Sequence, residues 1–227
     1  KIIGICGGAQ FLAKKFKSKI SKTTGHVGGH RIYFTKNSKI KNLDNFLFVN
    51  SYHNFSIKKG YMTTTHAFTS DQRLQDSPHK DLRRARSVTN AIIPTKTGAA
   101  LAVGKVLPKL NGKLDGISLR VPVSCGSIVD LVCEVNTSTN AIEVNKVIKD
   151  YIINNNLSSV VSVCDEPIVS SDIIGRTESA IVDSALTSVN EKIIKLLIWY
   201  DNESGYSKRL IELAELIANP EKIKFKK

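Results

Sequence analysis

A histidine at the end of a stiff, threonine-rich run is well placed to move a proton, and His66 in GYMTTTHAF is such a residue. Arg120 ends the alternating run LDGISLR, and a guanidinium can grip phosphate oxygens with two parallel hydrogen bonds. Thr97 and Gly98 stand just before a helical pattern, where free backbone N–H groups and the helix dipole favour an anion. Near the start, GICGG forms a G-x-C-x-G turn between an apolar run and an amphipathic one. Such a turn exposes the side chain of Cys6 at a helix N-terminus, which favours the thiolate. Each feature also has a plain reading: a packed strand histidine, a simple helix cap, a buried cysteine.

The elements that must position these groups follow from periodicity. Residues 1–5 read as a short strand, AQFLAKKF as a helix, and HRIYF and NFLFVNSYHN as strands. KKGYMTTTHAF, LDGISLRVPV, GSIVDLVCEVN, VVSVCDEPIVSSDI and IIKLLIWYDN read as further strands. Ala99, Ala102, Val103, Val106 and Leu107 recur at helical spacing from Thr97, with Pro108 and Gly112 closing the helix. A second helix is expected from Thr139, with Val144, Val147, Ile148 and Tyr151 on one face. A last one begins near Ser207, with Leu210, Leu213, Ala214 and Ile217 facing the core. Residues 70–95 form a polar segment far longer than an ordinary connection, which points to a functional loop. Because long strands follow one another directly, residues 58–227 are expected to form an α+β fold. Its sheet would be mixed, mainly antiparallel, with helices on one face.

Charge divides the chain. Residues 1–57 carry ten Lys and Arg against Asp44 alone, whereas residues 58–227 carry 23 basic and 19 acidic residues. The lysine run KKFKSKISK has no aromatic platform beyond Phe16, so it reads as a solvated face and a nucleic-acid partner is not expected. No apolar run reaches the roughly 18 to 20 residues of a membrane span. The four cysteines (Cys6, Cys125, Cys133, Cys164) contain no CxxC pair, which argues against zinc and suits a reducing cytoplasm. Cys125, Cys133 and Cys164 lie in apolar strand-like runs and read as packing residues. The chain opens on Lys1 without an initiator methionine or a signal-cleavage pattern, and a fragment is expected.

GYMTTTHAFTSDQRLQDSPHKDLRRAR, NAIIPTKTGAALAVGKVLPKLNGKLDGISLRVPV, IVSSDI and WYDNESGYSKRLIEL together resemble the catalytic domain of the glyceraldehyde-3-phosphate dehydrogenase family, from about Lys58 to Pro220. The resemblance implies NAD-linked oxidation and phosphorylation of a phosphorylated aldehyde in glycolysis. It makes His66 the base that activates a thiol, and gives the substrate phosphate to Thr69 and Arg120. Thr97 and Gly98 would serve the incoming inorganic phosphate, and Asn202 the nicotinamide amide. It also implies a homo-oligomer, with the HKDLRRARS loop near a neighbouring subunit's cofactor. Ser204 stands where an aromatic is usual in that family.

The resemblance places a nucleophilic cysteine roughly 25 to 30 residues before His66, where FTKNSKIKNLDN has none. No G-x-G-x-x-G nucleotide fingerprint is found either, since Gly4, Gly7 and Gly8 are out of pattern and no acid precedes Asp44. The dehydrogenase reaction is therefore expected to be lost. GICGG with VNSYHNFSI instead resembles class I glutamine amidotransferases over residues 1–57. In that alternative Cys6 is the nucleophile of a glutamine hydrolase, and a non-catalytic subunit-interaction module is a third reading. His53 belongs to this segment, and the His-Pro-Glu stretch that would complete its site is absent from the sequence. Two proteins joined near residue 57 is the expectation that follows, with a truncated segment 1–57 and a catalytic domain 58–227.

Overall fold

The computed structural model describes residues 56–219, and the expectations for Cys6, His53 and the strands and helix before Ser56 lie outside them. The chain divides into two units, residues 47–206 and residues 1–46 with 207–227. The first unit is a seven-stranded sheet. Its strands are β1 (Ile57–Ala67), β2 (Ile93–Lys96), β3 (Leu114–Val121), β4 (Ser127–Val135), β5 (Val161–Cys164), β6 (Ala180–Asn190) and β7 (Ile193–Tyr200). They lie in the order β2-β3-β1-β4-β7-β6-β5. β1 with β3 and β5 with β6 run parallel, and the other four pairings are antiparallel. The sheet is mixed and mainly antiparallel, as the sequence suggests.

Helix α1 (Ala99–Val106) follows β2, and α2 (Ala141–Asn154) follows β4. Asn140 caps α2 by accepting the Glu143 N–H at 3.0 Å, one residue after the expected start. Its Val144, Ile148 and Ile152, spaced four apart, are buried against Cys133, Val135, Val182, Ile194 and Leu196 of the sheet. Fully burying one such branched side chain contributes about 1.5–3 kcal/mol. Ile148→Ala should therefore lower the urea midpoint by the equivalent of about 2–4 kcal/mol, the transfer and cavity terms together.

The side-chain alternation carries this core to the site. Gly60 pairs with Cys133 and Cys133 with Ile194, so by the period of two Met62, Thr64 and His66 share the α2-covered face. β1 and β3 approach closely where Gly116 faces Met62, and a Cβ there would lie 2.3 Å from the Met62 carbonyl oxygen.

Several expected elements differ. VVSVCDEPIVSSDI is not one strand: β5 ends at Cys164, and Ser170–Ile173 is a 3₁₀ turn. Pro167 and the acidic pair before it, Asp165 and Glu166, break the ladder there. β2 and the eleven-residue β6 are strands that periodicity alone did not single out. Cys125 lies in the turn before β4 rather than in a strand. The last helix, α3 (Ser204–Ala218), starts three residues earlier than expected. Its Leu210 and Ala214 are exposed rather than core-facing. Helical periodicity reveals an apolar stripe but not whether anything covers it.

Candidate functional site

The parallel register of β1 and β3 sets His66 directly beside Arg120, near the C-terminal ends of both strands. Arg120 Nη1 lies 2.8 Å from His66 Nδ1 and donates to the Ala67 carbonyl at 3.0 Å. The same carbonyl oxygen is 2.6 Å from His66 Nδ1. Nδ1 either carries its hydrogen and donates to Ala67 or leaves it on Nε2 and accepts from Arg120. The Ala67 tautomer is the one that suits a proton acceptor. Nε2 is then left as an unprotonated base. Tyr200 meets the imidazole edge to face, with centroids 5.9 Å apart and an interplanar angle of 71°.

Electrostatics keep this ring neutral. Burial lowers the His66 pKa from its ordinary 6.5, the Ala67 hydrogen bond opposes that, and the Arg120 charge lowers it further. A folded-state pKa below the unfolded one means that protonation opposes folding. His66 therefore costs stability progressively as pH falls below 6.5 towards its folded midpoint. In an NMR titration His66 should turn over below 6.5, and Arg120→Met should move its midpoint upward; an unmoved midpoint would remove Arg120 from this account.

Thr69 lies just past β1, in a turn where its carbonyl accepts the Gln72 N–H at 2.9 Å. The Thr69 hydroxyl donates to Asp71 at 2.6 Å, and Arg84 donates to the other Asp71 oxygen. Burial raises the Asp71 pKa, but Thr69, Arg84 and Arg120 outweigh it and the net shift is downward. Arg120 is itself pulled down by burial first, with Asp71 opposing and Arg84 adding to the fall. Thr69 and Arg84 therefore hold the Asp71 carboxylate directly, while the Arg120 charge acts on it electrostatically. Arg84 was not singled out from the sequence. Among Arg83, Arg84 and Arg86, spacing alone gives no reason to prefer it, and only the folded 70–95 loop does.

Thr97 and Gly98 do open α1, and the Ala99 N–H donates to Thr97 Oγ1 at 3.2 Å. They follow Lys96, whose partner Ile117 lies three positions along β3 from Arg120. Asn202, by contrast, is tied to the end of β1: its Oδ1 accepts from Ser127 Oγ at 3.1 Å, and that hydroxyl accepts the Ala67 N–H at 3.2 Å.

Asp201 beside it is 2% exposed and accepts from the backbones of Gly175, Glu203 and Ser204 at 2.8 Å each. The Cys125 thiol adds a donor at 3.3 Å, and burial together with Asp201 raises its pKa, so Cys125 is held as the thiol. Among the described residues, no group of three or more His, Cys, Asp and Glu is arranged to hold a metal ion. No helix among them is long and apolar enough to cross a membrane.

The end of β1 thus gathers His66 beside Arg120, the Asp71 cluster and, through Ser127, Asn202. Residues 49–202 match the family described as glyceraldehyde 3-phosphate dehydrogenase, C-terminal domain, and the chain belongs to that family. It is 53% identical over 167 residues to glyceraldehyde-3-phosphate dehydrogenase 2 of Streptomyces avermitilis, covering 73% of this chain and 50% of that protein. It is 51% identical over 166 residues to the chloroplastic glyceraldehyde-3-phosphate dehydrogenase GAPA1 of Arabidopsis thaliana, covering 73% of this chain and 42% of that one. The chain thus spans about half the length of the curated relatives it matches. The family match begins at residue 49 and takes in Ser51, Tyr52 and His53, on which the amidotransferase resemblance partly rests.

Proposed function

We propose that this chain provides the substrate-handling half of an NAD-linked, phosphorylating glyceraldehyde-3-phosphate dehydrogenase. The observation that carries the reading is the pairing of His66 with Arg120 across β1 and β3, with Thr69 close behind. Arg120 and Thr69 would hold the substrate's phosphate. The Nε2 base of His66 would take a proton from the nucleophile and return it, and Thr97 with Gly98 would receive inorganic phosphate. Asn202 fits the nicotinamide end of NAD, because an oxygen already engaged by Ser127 leaves its NH₂ to donate to a carboxamide. NAD, when bound, supplies the hydride acceptor.

The 227 residues place no cysteine 25 to 30 positions before His66, so the chain by itself is expected to form no NADH from glyceraldehyde 3-phosphate, NAD and phosphate. Clear turnover would overturn that expectation. The phosphate site is tested without turnover, by titrating the chain with glycerol 3-phosphate while following His66 by NMR. A bound phosphate should raise the His66 midpoint, and Arg120→Ala should weaken binding tenfold or more, about 1.4 kcal/mol. No shift at millimolar ligand would sink the assignment. We also propose self-association through the sheet, where Tyr61, paired with Val132, is 48% exposed and Ile117 is 39% exposed. Tyr61→Glu should shift elution on size exclusion towards the monomer.

A further inference from the structure

Three polar atoms meet at the end of β1. Arg120 Nη1 lies 2.8 Å from His66 Nδ1 and 3.0 Å from the Ala67 carbonyl oxygen, and that oxygen lies 2.6 Å from Nδ1. No placement of hydrogens satisfies all three contacts. With the hydrogen on Nδ1, His66 donates to Ala67, but the ring N–H and the guanidinium then face each other as two donors. With the hydrogen on Nε2, Nδ1 accepts from Arg120, but its lone pair then faces the carbonyl oxygen as two acceptors. We infer that this triad is a tautomer switch: an oxyanion that draws Arg120 away selects the Nδ1–H form of His66 and so bares Nε2 as the base.

The argument is one of balance. Each tautomer makes one hydrogen bond at Nδ1 and suffers one contact between like groups, so the two lie close in energy while the three atoms stay together. Moving Nη1 towards an oxyanion takes from the Nε2–H form its one bond at Nδ1. The same movement relieves the Nδ1–H form of its one poor contact and leaves its bond to Ala67 intact. Both changes favour the same tautomer. A ligand shifts an equilibrium only by interacting differently with the two states, and here the guanidinium supplies that difference. Both states are neutral imidazoles, in keeping with the burial and the Arg120 charge that oppose protonation of this ring. Without an anion, part of the population keeps Nε2 protonated, so the base is fully available only beside a bound ligand.

The choice of ligand rests on the phosphate-site reading above, but the triad itself does not. At about pH 8, where a histidine titrating below its ordinary midpoint is neutral, long-range proton–nitrogen NMR identifies which ring nitrogen carries the hydrogen. Glycerol 3-phosphate is titrated into wild type, Arg120→Met and Arg120→Ala, with the ligand's own phosphorus signal followed in parallel. In wild type the ratio of Nδ1–H to Nε2–H should rise about tenfold or more at saturation. Both variants should show the high ratio without ligand and should not respond to it. Methionine keeps much of the arginine stem, so it serves if alanine loosens the sheet, and the wild-type titration stands if neither variant folds. A wild-type ratio that stays put while the phosphorus signal reports binding would overturn the switch. So would variants whose ratio equals that of the ligand-free wild type. A phosphorus signal that never moves counts against the phosphate site instead, and the ligand-free comparison then decides the switch alone.

Discussion

Gly126→Ala should destabilise the first unit by about 2–5 kcal/mol, the sum of a conformational cost and a collision. Gly126 has φ +88°, a left-handed conformation that a Cβ opposes, at a cost on the order of 1–2 kcal/mol. A Cβ at this position would also lie 2.5 Å from the Ser170 carbonyl oxygen, which belongs to backbone and cannot rotate away. Relieving the collision would move the 3₁₀ turn or the start of β4, adding about 1–3 kcal/mol. Gly112→Ala separates the two effects, because Gly112 has φ +73° and nothing lies within 4 Å of where its Cβ would stand. It should lose only the conformational part, about 1 kcal/mol. Urea unfolding of both variants checks this, and equal losses would show that the Ser170 contact is not what matters. The turn also carries Ser127, so a displaced Gly126 should disturb the Asn202 amide signal, whereas Gly112→Ala should leave it in place.

Local pattern and tertiary pairing contributed very differently to this structure. β1, β3, β4 and β7 were legible as runs rich in β-branched, aromatic and other apolar residues bounded by turn residues. β6 was not, although it is as long as β1. Its pairing with β7 shifts register between Asp183 and Ser188, and a bulge of that kind breaks the period of two on which a strand reading depends. Four-residue β2 lies across the end of a long polar stretch, and only its partner β3 makes it a strand.

The site shows the same division. His66, Thr69 and Arg120 were identified through family motifs, and parallel pairing explains why His66 and Arg120, 54 positions apart, touch. Arg84 and Ser127 have no local signature that separates them from ordinary surface and strand residues. Their meaning lies in partners 13 and 75 residues away, Asp71 and Asn202. A polar side chain that works by holding another functional group cannot be read from spacing, because its partner is set by sheet order.

Asp201→Asn gives the clearest pH-dependent result expected of this fold. Burial alone would raise the Asp201 pKa, but the N–H groups of Ser204, Gly175 and Glu203 and the Cys125 thiol draw it from 3.8 down to about 2. These donors come from three separate places: the turn after the 3₁₀ segment, the start of α3 and the turn before β4. A carboxylate accepts all of them, whereas an asparagine must turn its NH₂ towards some of them. Because the folded pKa is depressed, the contribution is complete above the ordinary carboxylate value and fades as pH falls through 3.8 towards about 2. At neutral pH the substitution should cost about 1–2.5 kcal/mol, the upper end being the pKa difference before solvent screening is allowed for. Stability curves of wild type and Asp201→Asn should therefore lie apart from about pH 7 to about 5 and converge as pH falls towards about 2. Parallel curves over that range would mean that the charge on Asp201 contributes nothing and that its shape alone holds the turn.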